Sequence, residues 1–117
     1  MKHPTPWTLD EALAFIRGAE PEVRKRANCF LGLCGGVLRK GSSDKDLDLI
    51  IIPLNGMVAA DVDEAIAALS AYGLTLQSNG IEFRRNDSAL YNGQTHIPLQ
   101  FFTGYFNNKR IDVCFQR

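Results

Sequence analysis

The chain has 117 residues, 45% of them apolar and 22% charged, which suits a single domain over residues 1–117 closing one core and excludes the sparse, highly charged composition of disorder. Its 13 Lys and Arg cancel 13 Asp and Glu, excluding the broad basic field of a bulk duplex binder. Apolar runs such as Leu49-Ile50-Ile51-Ile52 fall well short of the roughly 18 residues that span a bilayer, and Met1 to Pro6 leads into an amphipathic stretch rather than a signal-type apolar run, so a cytoplasmic protein without membrane contact is expected.

In chain order, Thr8 and Glu11 fit a capping box, and Leu9, Ala12, Leu13 and Ile16 carry helical spacing that Gly18 is expected to stop. Pro21 at a first-turn position then predicts a second short helix bearing Arg24, Lys25 and Arg26 as a solvated face. Cys29 to Cys34 reads as a central strand, Val37 to Lys40 as a helical turn, and Asp46 to Ile52 as a strand closed by Pro53. Val62, Ala65, Ile66, Leu69 and Tyr72 form one stripe of a helix over 59–72 that Gly73 ends. Asn79-Gly80 predicts a hairpin between strands 74–78 and 81–85. A loop through Asn92-Gly93 leads to strands 97–103 and 109–115. The predicted order, ααβ(α)βαββββ, gives an α+β fold, a mixed sheet with helices packed on one face and an open face opposite.

Cys29, Cys34 and Cys114 are odd in number, lack CxxC spacing and sit in apolar runs, so they are read as reduced core residues. His3 and His96 have no recognisable partners. Phe101, Phe102, Tyr105 and Phe106 suit core packing or a dimer contact better than stacking a base. Arg84-Arg85 and Lys109-Arg110 are expected to protect sheet edges.

The informative segment runs from Cys34 to Leu49. Strand alternation points Asp46 and Asp48 to one surface and Leu47, Leu49 and Ile51 to the other. Two residues apart, at about 3.3 Å rise each, both carboxylates can reach one divalent ion. The same parity on the last strand sends Ile111, Val113 and Phe115 to the core and Arg110, Asp112 and Cys114 to the opposite side. If that strand lies beside Asp46 and Asp48, three acids converge, a ligand set for hard Mg²⁺ together with substrate phosphates. Gly35-Gly36 ends the first strand at a helix start, where phosphate oxygens can approach free backbone N–H groups. Asp44 reads as a turn residue. Ser42 and Ser43 serve equally as turn formers or phosphate ligands, and Arg39 and Lys40 as phosphate contacts or solvated charges.

Cys34-Gly35-Gly36, a nine-residue spacer and Asp46-Leu47-Asp48-Leu49 resemble the nucleotidyltransferase superfamily related to DNA polymerase β, and most of all its minimal stand-alone members. The resemblance covers residues 29–52 closely and the rest by element order. It implies transfer of a nucleoside monophosphate from Mg²⁺-NTP to a hydroxyl of a protein, RNA or small molecule. Asp46, Asp48 and Asp112 would be catalytic residues holding two Mg²⁺ ions, with Mn²⁺ as an alternative, and Asp112 would also be the candidate base. Gly35, Gly36, Arg39, Ser42 and Ser43 would bind the nucleotide. Many family members carry Ser where Gly36 stands; Gly-Gly is similar to the tRNA CCA-adding branch. Acceptor binding would call for a second chain, either a homodimer mate or a partner. The competing reading is a catalytically silent module of the same fold that binds a partner protein, antitoxin-like, or senses nucleotide.

Overall fold

The computed structural model describes residues 7–54, 61–77, 84–85 and 100–115. Its elements are β1 (Trp7–Thr8), α1 (Leu9–Ala27), β2 (Cys29–Cys34), α2 (Gly35–Lys40), β3 (Ser42–Ser43), β4 (Leu47–Pro53), α3 (Val62–Tyr72), β5 (Thr75–Leu76), β6 (Arg84–Arg85), β7 (Gln100–Phe106) and β8 (Lys109–Phe115). Residues 59–60, the Asn79-Gly80 and Asn92-Gly93 turns, His3 and His96 lie outside the described residues.

α1 starts as expected: the Thr8 hydroxyl accepts the Glu11 N–H, and the Glu11 carboxylate reaches back to the Thr8 N–H. It does not stop at Gly18. One helix of 19 residues replaces the two predicted, because its buried stripe is Ala12, Phe15, Ala19, Val23 and Ala27, which runs through both expected breakpoints. Gly18 leaves room for α3, since a Cβ there would lie 1.9 Å from the Tyr72 hydroxyl unless that ring moved aside. Pro21 forfeits one helical hydrogen bond on the exposed side, a cost of about 3 kcal/mol that the packing of neighbouring Ala19 and Val23 offsets. Asn28, left-handed at φ 56°, ends the helix.

The main sheet has the order β2-β4-β8-β7-β5, with β6 also pairing β7; β4 and β8 are parallel and every other pair is antiparallel. The fold is α+β, as predicted. α1 and α3 pack on the face formed by Leu31, Leu47, Leu49, Ile51, Ile111, Val113 and Phe115. Among the described residues β2 is an edge strand rather than a central one. Glu20 of α1 accepts the outward Leu31 N–H at 3.2 Å and so shields that edge with a charge. β5 and β6 lie along the same side of β7, both antiparallel to it, so among the described residues they run in one direction instead of pairing as a hairpin. β7 continues past Thr103 to Phe106 and joins β8 through Asn107-Asn108, both at positive φ, the conformation of a tight hairpin turn. Among the described residues no helix is long and apolar enough to cross a membrane.

Candidate metal and nucleotide site

Register assembles the acids. Asp48 is paired with Asp112 across the parallel β4–β8 ladder, and the row extends to Cys34 on β2 and Thr103 on β7. Residues in cross-strand register share a face, and alternation assigns these four to the face opposite the helices. Asp46 stands one residue before β4, two from Asp48 and so on the same side. One carboxylate oxygen from each of Asp46, Asp48 and Asp112 lies within 4.8 Å of the others. Two oxygens on opposite sides of a Mg²⁺, each at about 2.1 Å, stand roughly 4.2 Å apart, so closing the trio on an ion takes less than about 1 Å. The donor set, all oxygen and all carboxylate, suits a hard cation.

Without a cation the trio is electrostatically uncomfortable. Burial, a hydrogen bond with Asp112 and the charges of Asp48 and Asp112 push the Asp46 carboxyl up to about 6, with Arg110 opposing. Asp48 is raised as well, by burial and then by Asp112, against the Gly36 N–H and the positive charges of Arg110 and Arg39. Burial, with Asp48 beside it, pushes the Cys34 thiol up to about 11. Asp112 is fixed through one oxygen: Oδ1 accepts the Thr103 hydroxyl at 2.7 Å and the Arg110 Nε–H at 3.1 Å. Burial weakens the Arg110 charge, but the Asp112 carboxylate outweighs it and raises the guanidinium.

The glycines divide their work differently from expectation. Gly35, at φ +68°, leaves the space that Asp48 fills: a Cβ there would lie 2.0 Å from Asp48 Oδ2. The Gly36 N–H holds Asp48 as well, so in this structure the pair positions a carboxylate. At Gly36 a Cβ would stand 3.7 Å from Ser43 Cβ, ordinary contact with room for a side chain. Gly36, Arg39, Ser42, Ser43, Asp46 and Asp48 line one cleft of about 430 Å³. Ser43 is a turn former, its Oγ accepting the Lys45 and Asp46 N–H groups at 3.3 Å, and it thereby sets the entry of Asp46. Ser42, Arg39, Lys40 and Asp44 are exposed along the rim.

The β1–β3 ribbon pairs Trp7 with Ser43 and Thr8 with Ser42, and Trp7 Nε1–H donates to the Arg110 carbonyl at 2.8 Å. It ties the start of α1 to the cleft loop. Sequence reasoning missed Thr103, Arg110 and Cys34 as neighbours of the acids. Lys109 and Arg110 were expected to guard an edge, but β8 is interior; Lys109 pairs with Glu11, and Arg110 with Asp112. Cys34 is half-buried on the acid face rather than in the core, whereas Cys29 and Cys114 are buried. Among the four aromatics, Phe102 is core and Phe106 packs against Phe15 and Tyr72, while Tyr105 is exposed beside Arg110. The parity signal that located Asp112 also placed Arg110 on its face, and that was the available clue. No family model, curated protein or solved structure matches this chain, so the site's chemistry is read from its geometry.

Proposed function

We propose that the chain is a metal-dependent nucleotidyltransferase, a minimal member of the superfamily its motif resembles. The observation that carries this reading is the convergence of the Asp46, Asp48 and Asp112 oxygens within 4.8 Å beside a cleft lined by Gly36, Arg39 and Ser43. Asp46, Asp48 and Asp112 would hold Mg²⁺, which when bound supplies Lewis-acid stabilisation of charge on phosphate oxygens. Thr103 and Arg110 keep Asp112 oriented. Arg39, on the cleft rim, faces the phosphates. In the transfer, the acceptor oxygen forms a bond to the α-phosphorus, the bridge to the β-phosphate breaks, and pyrophosphate leaves. The acceptor hydroxyl's proton passes to Asp112, the candidate base.

A second reading, a module that binds nucleotide or a partner protein without transfer, draws on the Arg110–Asp112 pair, which already supplies the acids with a cation. Calorimetric titration of NTP with and without Mg²⁺ separates these alternatives from a site of another kind. Mg²⁺ should strengthen NTP binding at least about ten-fold and raise the melting temperature, and Asp46→Asn with Asp48→Asn should abolish both effects. An unchanged Mg²⁺ effect in the double variant overturns the metal role. Label from α-labelled NTP appearing on an acceptor supports transfer, and binding without any labelled acceptor supports the silent module.

A further inference from the structure

A second groove lies at the other end of β2. It has a volume of about 810 Å³ and runs between α1 and the sheet edge, with Arg17, Arg24, Lys25 and Phe30 among its walls. No carboxylate pairs with Arg17, Arg24 or Lys25 among the described residues, whereas neighbouring Arg26, outside the groove, is paired with Glu64. Among the described residues the groove has one acid, Glu20, which is engaged by the Leu31 N–H. Arg24 lies over the ring of Phe30, 5.2 Å from its centroid, and Phe30 is 39% exposed. This guanidinium-on-ring stack gives a flat, cationic platform. Arg17 and Arg24 are seven residues apart, roughly 10 Å along the helix, a span that suits successive charges on a polymer better than a single anion.

Position adds to charge. Phe30, Gly32 and Cys34 share the open face of β2, and between the two ends Gly32 and its register partner Ile50, both partly exposed, are respectively without a side chain and apolar. Phe30 stands about 13 Å from Cys34 along the strand, and Cys34 adjoins Asp48. A strand anchored in the groove therefore has an uncharged floor leading toward the acids.

We propose that this groove binds single-stranded nucleic acid, its phosphates on Arg17, Arg24 and Lys25 and a base on the Arg24–Phe30 platform. The neutral net charge fits such a local contact. Identification of this strand as the acceptor rests on the transferase reading; the groove's affinity does not.

The test is fluorescence anisotropy of a labelled single-stranded RNA, and of DNA of the same sequence, titrated with the full chain in EDTA. Replacing Arg17, Arg24 and Lys25 together by Ala should weaken binding at least about ten-fold and flatten the salt dependence by about two log units per log unit, the yield of three phosphate contacts. Phe30→Leu should weaken it about three- to ten-fold, and Arg26→Ala by less than about two-fold. Arg24→Gln alone, an exposed change, should weaken it about three-fold and guards against misfolding of the triple variant. Equal affinity of the groove variants and the parent overturns the proposal, as does a loss matched by Arg26→Ala. Equal competition by an acidic peptide assigns the groove to a protein partner and overturns the nucleic-acid reading. Oligonucleotide binding in EDTA, with no nucleotidyl transfer to that strand once Mg²⁺ and NTP are supplied, upholds the groove and overturns the strand as acceptor; Mg²⁺-dependent NTP binding without oligonucleotide affinity overturns the groove and leaves the metal–nucleotide site standing. A preference for RNA over DNA or the opposite names the strand.

Discussion

β4 and β8 present two opposite surfaces from alternating residues of the same few turns of chain. Toward the helices, Leu47, Leu49, Ile111, Val113 and Phe115 are fully buried, each an apolar group whose removal from water stabilises the fold by about 1.5–3 kcal/mol. Away from the helices, Asp46, Asp48 and Asp112 crowd carboxylates together, with the Arg110 guanidinium paired to Asp112. One surface lowers the energy of the fold and the other raises it. Stability alone would not gather three acids on one face, and such a strained cluster is the kind of feature that functional sites carry.

The largest break in this comparison comes from the core face. Leu49→Ala should destabilise the chain by about 2–5 kcal/mol, because the cavity it leaves is enclosed on every side, whereas Asp48→Asn one residue away should leave urea stability equal or higher. Equal losses from both would mean that the two faces do not differ as described. A sharper contrast lies in Gly35 and Gly36. Gly35→Ala forces a Cβ at φ +68° into Asp48 Oδ2 and should cost about 1–3 kcal/mol and most of the metal affinity. Gly36→Ser meets only ordinary contacts and should change stability by less than about 0.5 kcal/mol. Urea melts and Mg²⁺ titration of the two variants check this, and a tolerated Gly35→Ala would refute the positioning role.

Much of the acid face was legible because parity is local: alternation within residues 46–52 and 109–115 sets which side chains share a side. Adjacency of β4 and β8 was not, since about 60 residues separate them and only the folded register shows Asp48 opposite Asp112. The same limit explains α1. Gly18 and Pro21 carry stop signals, and what overrides them is tertiary, Tyr72 of α3 packed against Gly18 and the burial of Ala19 and Val23 either side of Pro21, contacts that no window on α1 contains. The apolar composition of β2 reads as a central strand, but its edge is covered by Glu20 from α1, a substitute for a neighbouring strand that has no strand-like signature. The Asn107-Asn108 turn reaches positive φ at both residues without the glycine that makes Asn-Gly the stronger signal.

The subtlest expectation concerns protons. The Asp46 carboxyl stands at about 6 in the folded chain against 3.8 in its ordinary state, so between these values the native state holds a proton that the unfolded state has released. Stability from this group is therefore full below about pH 4 and falls as pH rises through about 6, and Asp48, shifted in the same direction, adds to the trend. Asp46→Asn imitates the protonated form, and its amide can still donate to Asp112. Without metal, its melting temperature should exceed the parent's at about pH 7.5 and converge with it near about pH 4. Mg²⁺ should close the gap from the parent's side, raising the parent and leaving Asp46→Asn nearly unmoved, because the cation relieves the repulsion that the substitution has already removed. Parallel pH profiles for the two proteins in EDTA would show that the carboxylates do not strain one another, and the contrast between the two faces of β4 would lose its electrostatic basis.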